Sequence, residues 1–180
     1  LSILSGLEKC DSGKVYIDQI DITKLATTEL ANIRNQRFGF IFQTPFFIPY
    51  KNLLQNVMLP YSYSDAHFKS DVPEVDKIER AKSLLEMVGL TEHMEKSPAI
   101  LSGGEQQRMT FARALLLEPD IIFADEPTAS IDKNNSEVIL NMLASQALAE
   151  KTVIMVSHDQ HATSYADKTF SLGSEGISLV

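Results

Sequence analysis

The 180-residue sequence has one cysteine, Cys10, and no tryptophan. A single thiol excludes an intrachain disulfide framework, and a chain this long buries a core without such staples. Sparse cysteine makes a reducing, cytosolic setting the default expectation. Apolar runs of the roughly 18 to 20 residues needed to span a bilayer are absent, as is a charged start followed by an apolar stretch and a cleavage site. A connection to a membrane therefore has to run through a partner. Positive charge is scarce too: 16 Lys and Arg stand against 24 Asp and Glu, a formal net charge of -8, so no basic face awaits the phosphates of nucleic acid. With 4 His and that one Cys, no closed zinc set can be assembled, even around His158 and His161. Repeats and low-complexity segments are missing. What is present, 44% hydrophobic and 22% charged residues, predicts one soluble globular domain. The chain opens at Leu1 rather than Met, which reads as a fragment or a processed product.

Hydrophobic spacing supplies the element order. Val15 and Ile17 alternate before Asp18-Gln19, and Ile20 and Ile22 follow, the pattern of a short hairpin. Thr27, Thr28 and Glu29 open a helical stretch to about Asn35. Phe38 to Phe42 is an apolar run suited to a buried strand, which Gln43 ends. Pro45, Pro49, Pro60 and Pro73 then interrupt the chain, and the strongest element before Ile100 is an amphipathic helix. It carries Ile78, Ala81, Leu85 and Val88 on one face, with Gly89 as its stop. Another helix is expected from about Glu105 to Leu117, closed before Pro119. Ile121 to Ala124 and Thr152 to Val156 read as buried strands of the parallel-sheet type, separated by a helix near Asn135 to Leu148. Strand, helix, strand in that order implies a right-handed crossover and an α/β fold.

Three segments carry chemistry. Leu101-Ser102-Gly103-Gly104-Glu105-Gln106-Gln107-Arg108 sets a glycine pair before a polar helix start. Ser102 with Glu105 fits a capping box, in which hydroxyl and carboxylate satisfy free backbone donors. The same free N–H groups and the positive end of the helix dipole suit an anion, and the glycines let a phosphate approach closely. Both uses can hold in turn. Ile121-Ile122-Phe123-Ala124-Asp125-Glu126-Pro127 is an apolar strand that delivers two acids at its carboxyl end, where open α/β sheets bind ligands. Adjacent carboxylates point apart from an extended backbone, so one can hold a Mg²⁺ shell while the other faces a water. The plainer reading is a solvated turn. Gln43 and Ser157-His158-Asp159 end two more strands. An imidazole there can donate to a phosphate oxygen, and a Gln amide can ligate Mg²⁺ or hold water, although either residue alone more often sits in an ordinary loop. Ser12-Gly13-Lys14 is a decoy for the phosphate-binding loop G-x-x-x-x-G-K-[ST]. Glu8 occupies the first glycine position and Val15 the hydroxyl position, so Gly13 reads as a turn and Lys14 as a solvated charge.

Taken in order, Gln43, Leu101 to Arg108, Ile121 to Pro127, Ser130 to Asp132 and His158 resemble the ATP-binding cassette ATPases, the nucleotide-binding subunits of ABC transporters. The match runs over essentially the whole chain. Leu-Ser-Gly-Gly-Glu-Gln-Gln-Arg is similar to the family's signature loop and Ile-Ile-Phe-Ala-Asp-Glu-Pro-Thr to its Walker B strand. Asn52 to Pro60 and the sequence before Gln43 resemble the lipoprotein-release and macrolide-export type of cassette. The resemblance implies a P-loop NTPase-type, RecA-like core of mostly parallel sheet at residues 1–43 and 111–180, with a helical and signature subdomain inserted at 44–110. It implies ATP and Mg²⁺ as ligands, with Gln43 and Asp125 at the metal. Glu126 would polarise the attacking water and His158 contact the γ-phosphate. Leu101, Ser102, Gly103, Gly104 and Glu105 would close in trans over ATP held by a facing subunit, and Ser130 and Asp132 of the D-loop would join the two sites. Ala129 to Asp132 is a mild variant of the usual D-loop, with little effect expected.

Leu1 to Leu7 resemble the helix that follows the Walker A loop, so the N-terminal strands and that loop are expected upstream of Leu1 and are missing from this sequence. The 180 residues alone are then expected to bind ATP poorly and to be inactive, while the intact protein hydrolyses ATP. The implied partners are a membrane permease and a second ATPase subunit in a nucleotide-dependent homodimer, with no nucleic acid. The implied location is cytoplasmic, peripheral at the inner face of the membrane. Two other classes carry similar loops. A DNA-repair or chromosome ATPase would need a long coiled coil between Gln43 and Leu101, where no sustained heptads stand. A non-hydrolysing interaction protein would follow if no phosphate-binding loop precedes Leu1.

Overall fold

The Ile121–Asp125 strand (β4) has a parallel neighbour on each side, Phe38–Ile41 (β3) and Thr152–Val156 (β5). This computed structural model describes residues 1–63, 73–173 and 176–180. Ile41 pairs with Ala124 and Asp125 with Val156, which sets the carboxyl ends of all three strands along one edge. Side chains alternate across the central strand, as strand geometry requires. Ile122 and Ala124 enter one apolar cluster with Ile41, Leu85, Met109 and Phe111, whereas Phe123 enters another with Phe38, Ile17 and Ile22. The Phe38 and Phe123 rings meet edge to face at 5.1 Å. Each such fully buried side chain contributes roughly 1.5–3 kcal/mol.

The second cluster is roofed by the antiparallel hairpin of Tyr16–Ile17 (β1) and Ile20–Asp21 (β2), the pair expected around Asp18 and Gln19. Asp18 takes φ 54° in the turn, and its carboxylate accepts from Arg37, which also reaches Asp120 just ahead of β4. Arg37 ends the Thr27–Arg37 helix (α1), two residues later than the spacing suggested.

The first cluster is helical. It combines Leu53–Val57 (α2), Glu74–Met87 (α4) and Gly103–Leu115 (α5) with the sheet, with Leu59–Tyr63 (α3) following α2. The apolar face of α4 is Ala81, Leu84 and Leu85, continued by Val88, with Ile78 at its half-buried margin. Gly89 stops it as expected: at φ 70° it lets Leu90 N–H reach back to the Leu85 carbonyl at 2.8 Å. Helix α5 lies close on β3, because a Cβ at Gly39 would stand 2.7 Å from the Ala114 carbonyl oxygen. Residues 44–110 and the sheet thus share one apolar cluster, and α5 runs through the expected boundary at 110 and 111 without a break. Residues 64–72 of that stretch lie outside the described residues.

Lys133–Leu148 (α6) supplies the crossover from β4 to β5, and Phe170–Gly173 (β6) pairs with Gly176–Leu179 (β7) at the end of the chain. Three expectations are corrected. The β3 strand ends at Ile41, not Phe42, because the Phe42 carbonyl accepts from the buried Gln107 amide at 3.1 Å instead of from the ladder. Helix α5 spans Gly103–Leu115 rather than reaching Leu117; Glu118 already stands at φ 53°. The β5 strand, expected to be buried, has no fully buried residue and leaves Val156 40% exposed, because it is the outer neighbour of β4. Leu1 to Leu7 form one turn: Ser5 N–H bonds to the Leu1 carbonyl, and Gly6 at φ 66° closes it through Leu7 N–H to the Ser2 carbonyl at 2.9 Å. That is the geometry of a helix C-terminal turn.

Candidate functional site

The parallel register brings four of the expected residues to one sheet edge. Gln43 follows β3 and is exposed, Asp125 closes β4, Glu126 comes next, and His158 follows β5. Glu126 is the strained member, a non-glycine residue at φ 45°. Its N–H extends the ladder to the Val156 carbonyl at 2.9 Å, which turns the carboxylate towards the end of β5. There its Oε2 accepts from the His158 backbone N–H at 3.3 Å, and its Oε1 stands 3.4 Å from His158 Nε2. Glu126 is 15% exposed and His158 97% exposed, so the imidazole lies open to solvent while the carboxylate is largely enclosed. Oε1 itself is buried and takes no hydrogen bond in good geometry. A buried carboxylate oxygen without a donor is costly unless something else supplies one. Beside this edge a small cleft is lined by Asp125, Phe42, Ser2 and Ser5.

A second group forms around the start of α5. Ser102 caps that helix: its N–H and hydroxyl both donate to Glu105 Oε2, at 2.8 and 2.7 Å, and its oxygen accepts from Glu105 N–H at 3.4 Å. Leu101 is buried behind it. The Ser102 hydroxyl, then its backbone N–H, hold the Glu105 carboxyl below the usual glutamate range. Asp132 caps α6 by accepting from the Asn135 N–H at 3.0 Å and the Asn135 amide at 2.6 Å, and these, in that order, hold it below the usual aspartate range. Ser130 is exposed, and its carbonyl oxygen lies next to Gly103.

The two glycines differ. A Cβ on Gly103 would meet the Ser130 carbonyl at 3.6 Å and Ile131 at 3.7 Å, ordinary contact distances. A Cβ on Gly104 would collide with the Asn135 side chain. Within this chain the space at Gly104 therefore belongs to Asn135. Asn135 accepts in turn from Arg108 Nη1 at 2.7 Å. Sequence reasoning passed over Asn135 and the buried Gln107. Only the position of Gln107, on the apolar side of α5 and 2% exposed, could have marked it.

Among the described residues, no group of three His, Cys, Asp or Glu could hold a metal ion by itself. Mg²⁺ commonly takes only one or two protein oxygens and completes its shell with waters and phosphates. Asp125 and Gln43, at one edge beside a buried carboxylate oxygen that takes no hydrogen bond, have the donor chemistry for that arrangement.

The parallel sheet with acids at its carboxyl edge and a capped helix beside it is shared with solved ATP-binding cassettes, which gives the chain the P-loop NTPase fold. Residues 1–129 match the protein family described as ABC transporter, and the chain belongs to that family. It is 40% identical over 169 residues to the uncharacterized ABC transporter ATP-binding protein YvrO of Bacillus subtilis, covering 94% of this chain and 71% of that protein. It is 36% identical over 172 residues to the macrolide export ATP-binding/permease protein MacB of Shewanella sp. (strain ANA-3), covering 96% of this chain but 25% of that longer protein. Among solved structures it is similar to the ATP-binding cassette MJ0796 as a dimer bound to ADP and Pi. There the TM-score is 0.83 at 34% identity, over 94% of this chain and 72% of that one. No described helix is long and apolar enough to cross a membrane.

Proposed function

We propose that this chain forms part of the ATP-hydrolysing subunit of an ABC transporter, working as a pair of subunits that drive a membrane permease from the cytoplasmic face. The observation that carries the reading is the Glu126 carboxylate, fixed by a strained backbone at the sheet edge, with one buried oxygen facing the His158 ring without a hydrogen bond and the other held by the His158 N–H. That oxygen is the acceptor for a proton of the attacking water. His158 donates to the terminal phosphate of ATP, and Asp125 with Gln43 would hold Mg²⁺, which would neutralise phosphate charge. Ser102, Gly103 and Gly104 present the start of α5 to ATP on the facing subunit, and Asp132 reaches across the pair. The similarity to a dimeric cassette bound to ADP and Pi supports the pairing, and that to MacB supports a permease partner. Residues 1–43 and 111–180 act as the core and 44–110 as the arm that meets the permease.

The test is ATP hydrolysis by the full-length protein and its E126Q variant. The amide keeps the shape and cannot take a proton, so turnover is expected to fall at least 100-fold while ATP binding persists and the paired state accumulates. Hydrolysis by E126Q at the parental rate overturns the assignment.

A further inference from the structure

We infer that Asn135 is a positioning residue that locks the start of the lid helix to the D-loop, so that the two move as one body within each subunit. The inference rests on the functional reading above. Asn135 Nδ2 donates to Asp132 Oδ2 at 2.6 Å, while its Oδ1 accepts from Arg108 Nη1 at 2.7 Å. Arg108 Nε donates to the Val88 carbonyl at 3.0 Å, which extends the link to the end of α4. An ionised aspartate only accepts and a guanidinium only donates. A primary amide is the side chain that satisfies both at once, and it can be oriented in only one way. Glutamine would be too long for the space and aspartate would set acceptor against acceptor. Gly104 and Arg108 lie four residues apart on one face of α5, and the missing Cβ of Gly104 is what admits the amide. The glycine that borders the lid and the aspartate that reaches the other site are thus tied through a single side chain.

Steady-state ATP hydrolysis by the full-length protein tests this with N135A, N135D, R108A and the double variant R108A/N135A, alongside E126Q. N135A and R108A are each expected to lower kcat at least tenfold with KM for ATP within threefold, because closure rather than first capture is impaired. The double variant is expected to fall no more than twofold below the worse single one, since both cut one link. N135D keeps the size and the Arg108 acceptor yet opposes Asp132. It is expected to lose at least tenfold in kcat with a melting midpoint near the parent's, and it replaces N135A in the cycle should N135A not fold. A kcat within twofold of the parent for the Asn135 variants overturns the inference, as does a double variant whose loss is the product of the single losses. If E126Q is inactive in that same series, only the inference has failed. Parental hydrolysis by E126Q would mark failure of the functional reading itself.

Discussion

Glu126 and His158, 32 residues apart in sequence, approach each other twice: backbone N–H to Oε2 at 3.3 Å and Nε2 to Oε1 at 3.4 Å. Both contacts depend on the Asp125 and Val156 pairing, which places the end of β5 beside the end of β4. The carboxylate is aimed by a backbone conformation that L-residues avoid. The carboxylate at this edge is therefore held at some cost to stability.

That cost is measurable. E126G and E126A both remove the carboxylate, but only glycine relaxes at φ 45°. E126G is expected to unfold at higher urea than E126A, by about 1 kcal/mol. Equal midpoints would show that the turn stores no strain.

The glycine pair should separate by stability. G104A drives a methyl into Asn135 and is expected to destabilise the fold by about 1–3 kcal/mol. G103A meets only ordinary contacts at the first helical position and should be neutral or stabilising by up to about 1 kcal/mol. Chemical denaturation of both variants checks the order, and the reverse order would refute it.

Glu105 makes the cap of α5 pH-dependent. Its folded-state pKa lies below the unfolded value of about 4.3. The linked stability is thus complete above that pH and is lost as pH falls through the folded pKa. The group is half-buried at the surface and screened by solvent, so less than about 1 kcal/mol is at stake. E105Q should melt lower than the parent at pH 7, and the gap should close on acidification. A gap that widens towards low pH would contradict the cap geometry.

The 180 residues contain no G-x-x-x-x-G-K-[ST] segment to cradle the β- and γ-phosphates. Calorimetric titration of this chain with ATP at physiological Mg²⁺ is expected to show millimolar or weaker affinity. Micromolar binding would mean that the edge and the capped helix suffice on their own.

Much of the fold was legible because it is written in local periods. The Phe38 run and Ile121 to Ala124 are apolar without alternation, as strands covered on both faces must be, whereas Thr152 to Val156 shows the same pattern with no residue fully buried, because it is an outer strand of the three. The Asn52 cap of α2 went unread: its Asn-x-x-Gln spacing, whose reciprocal bonds measure 2.8 and 3.1 Å, stands between Pro49 and Pro60 in a stretch taken as interrupted. Asn56 gave no such signal. It is buried because its amide serves the carbonyls of Ile48, Lys51 and Asn52, a role set by a loop folding back on the helix.

By itself the sequence determined the parallel α/β order, the capping box at Ser102 and Glu105, and which residues stand at strand ends, since all of these follow from hydrogen bonding and side-chain spacing within a few residues. Only the tertiary structure decided that Glu126 faces His158, that Gly104 makes room for Asn135, and that Gln107 closes β3 at Phe42. Those relationships join segments tens of residues apart. Strand register and helix packing fix them through close approach, and neither leaves a trace in the local pattern.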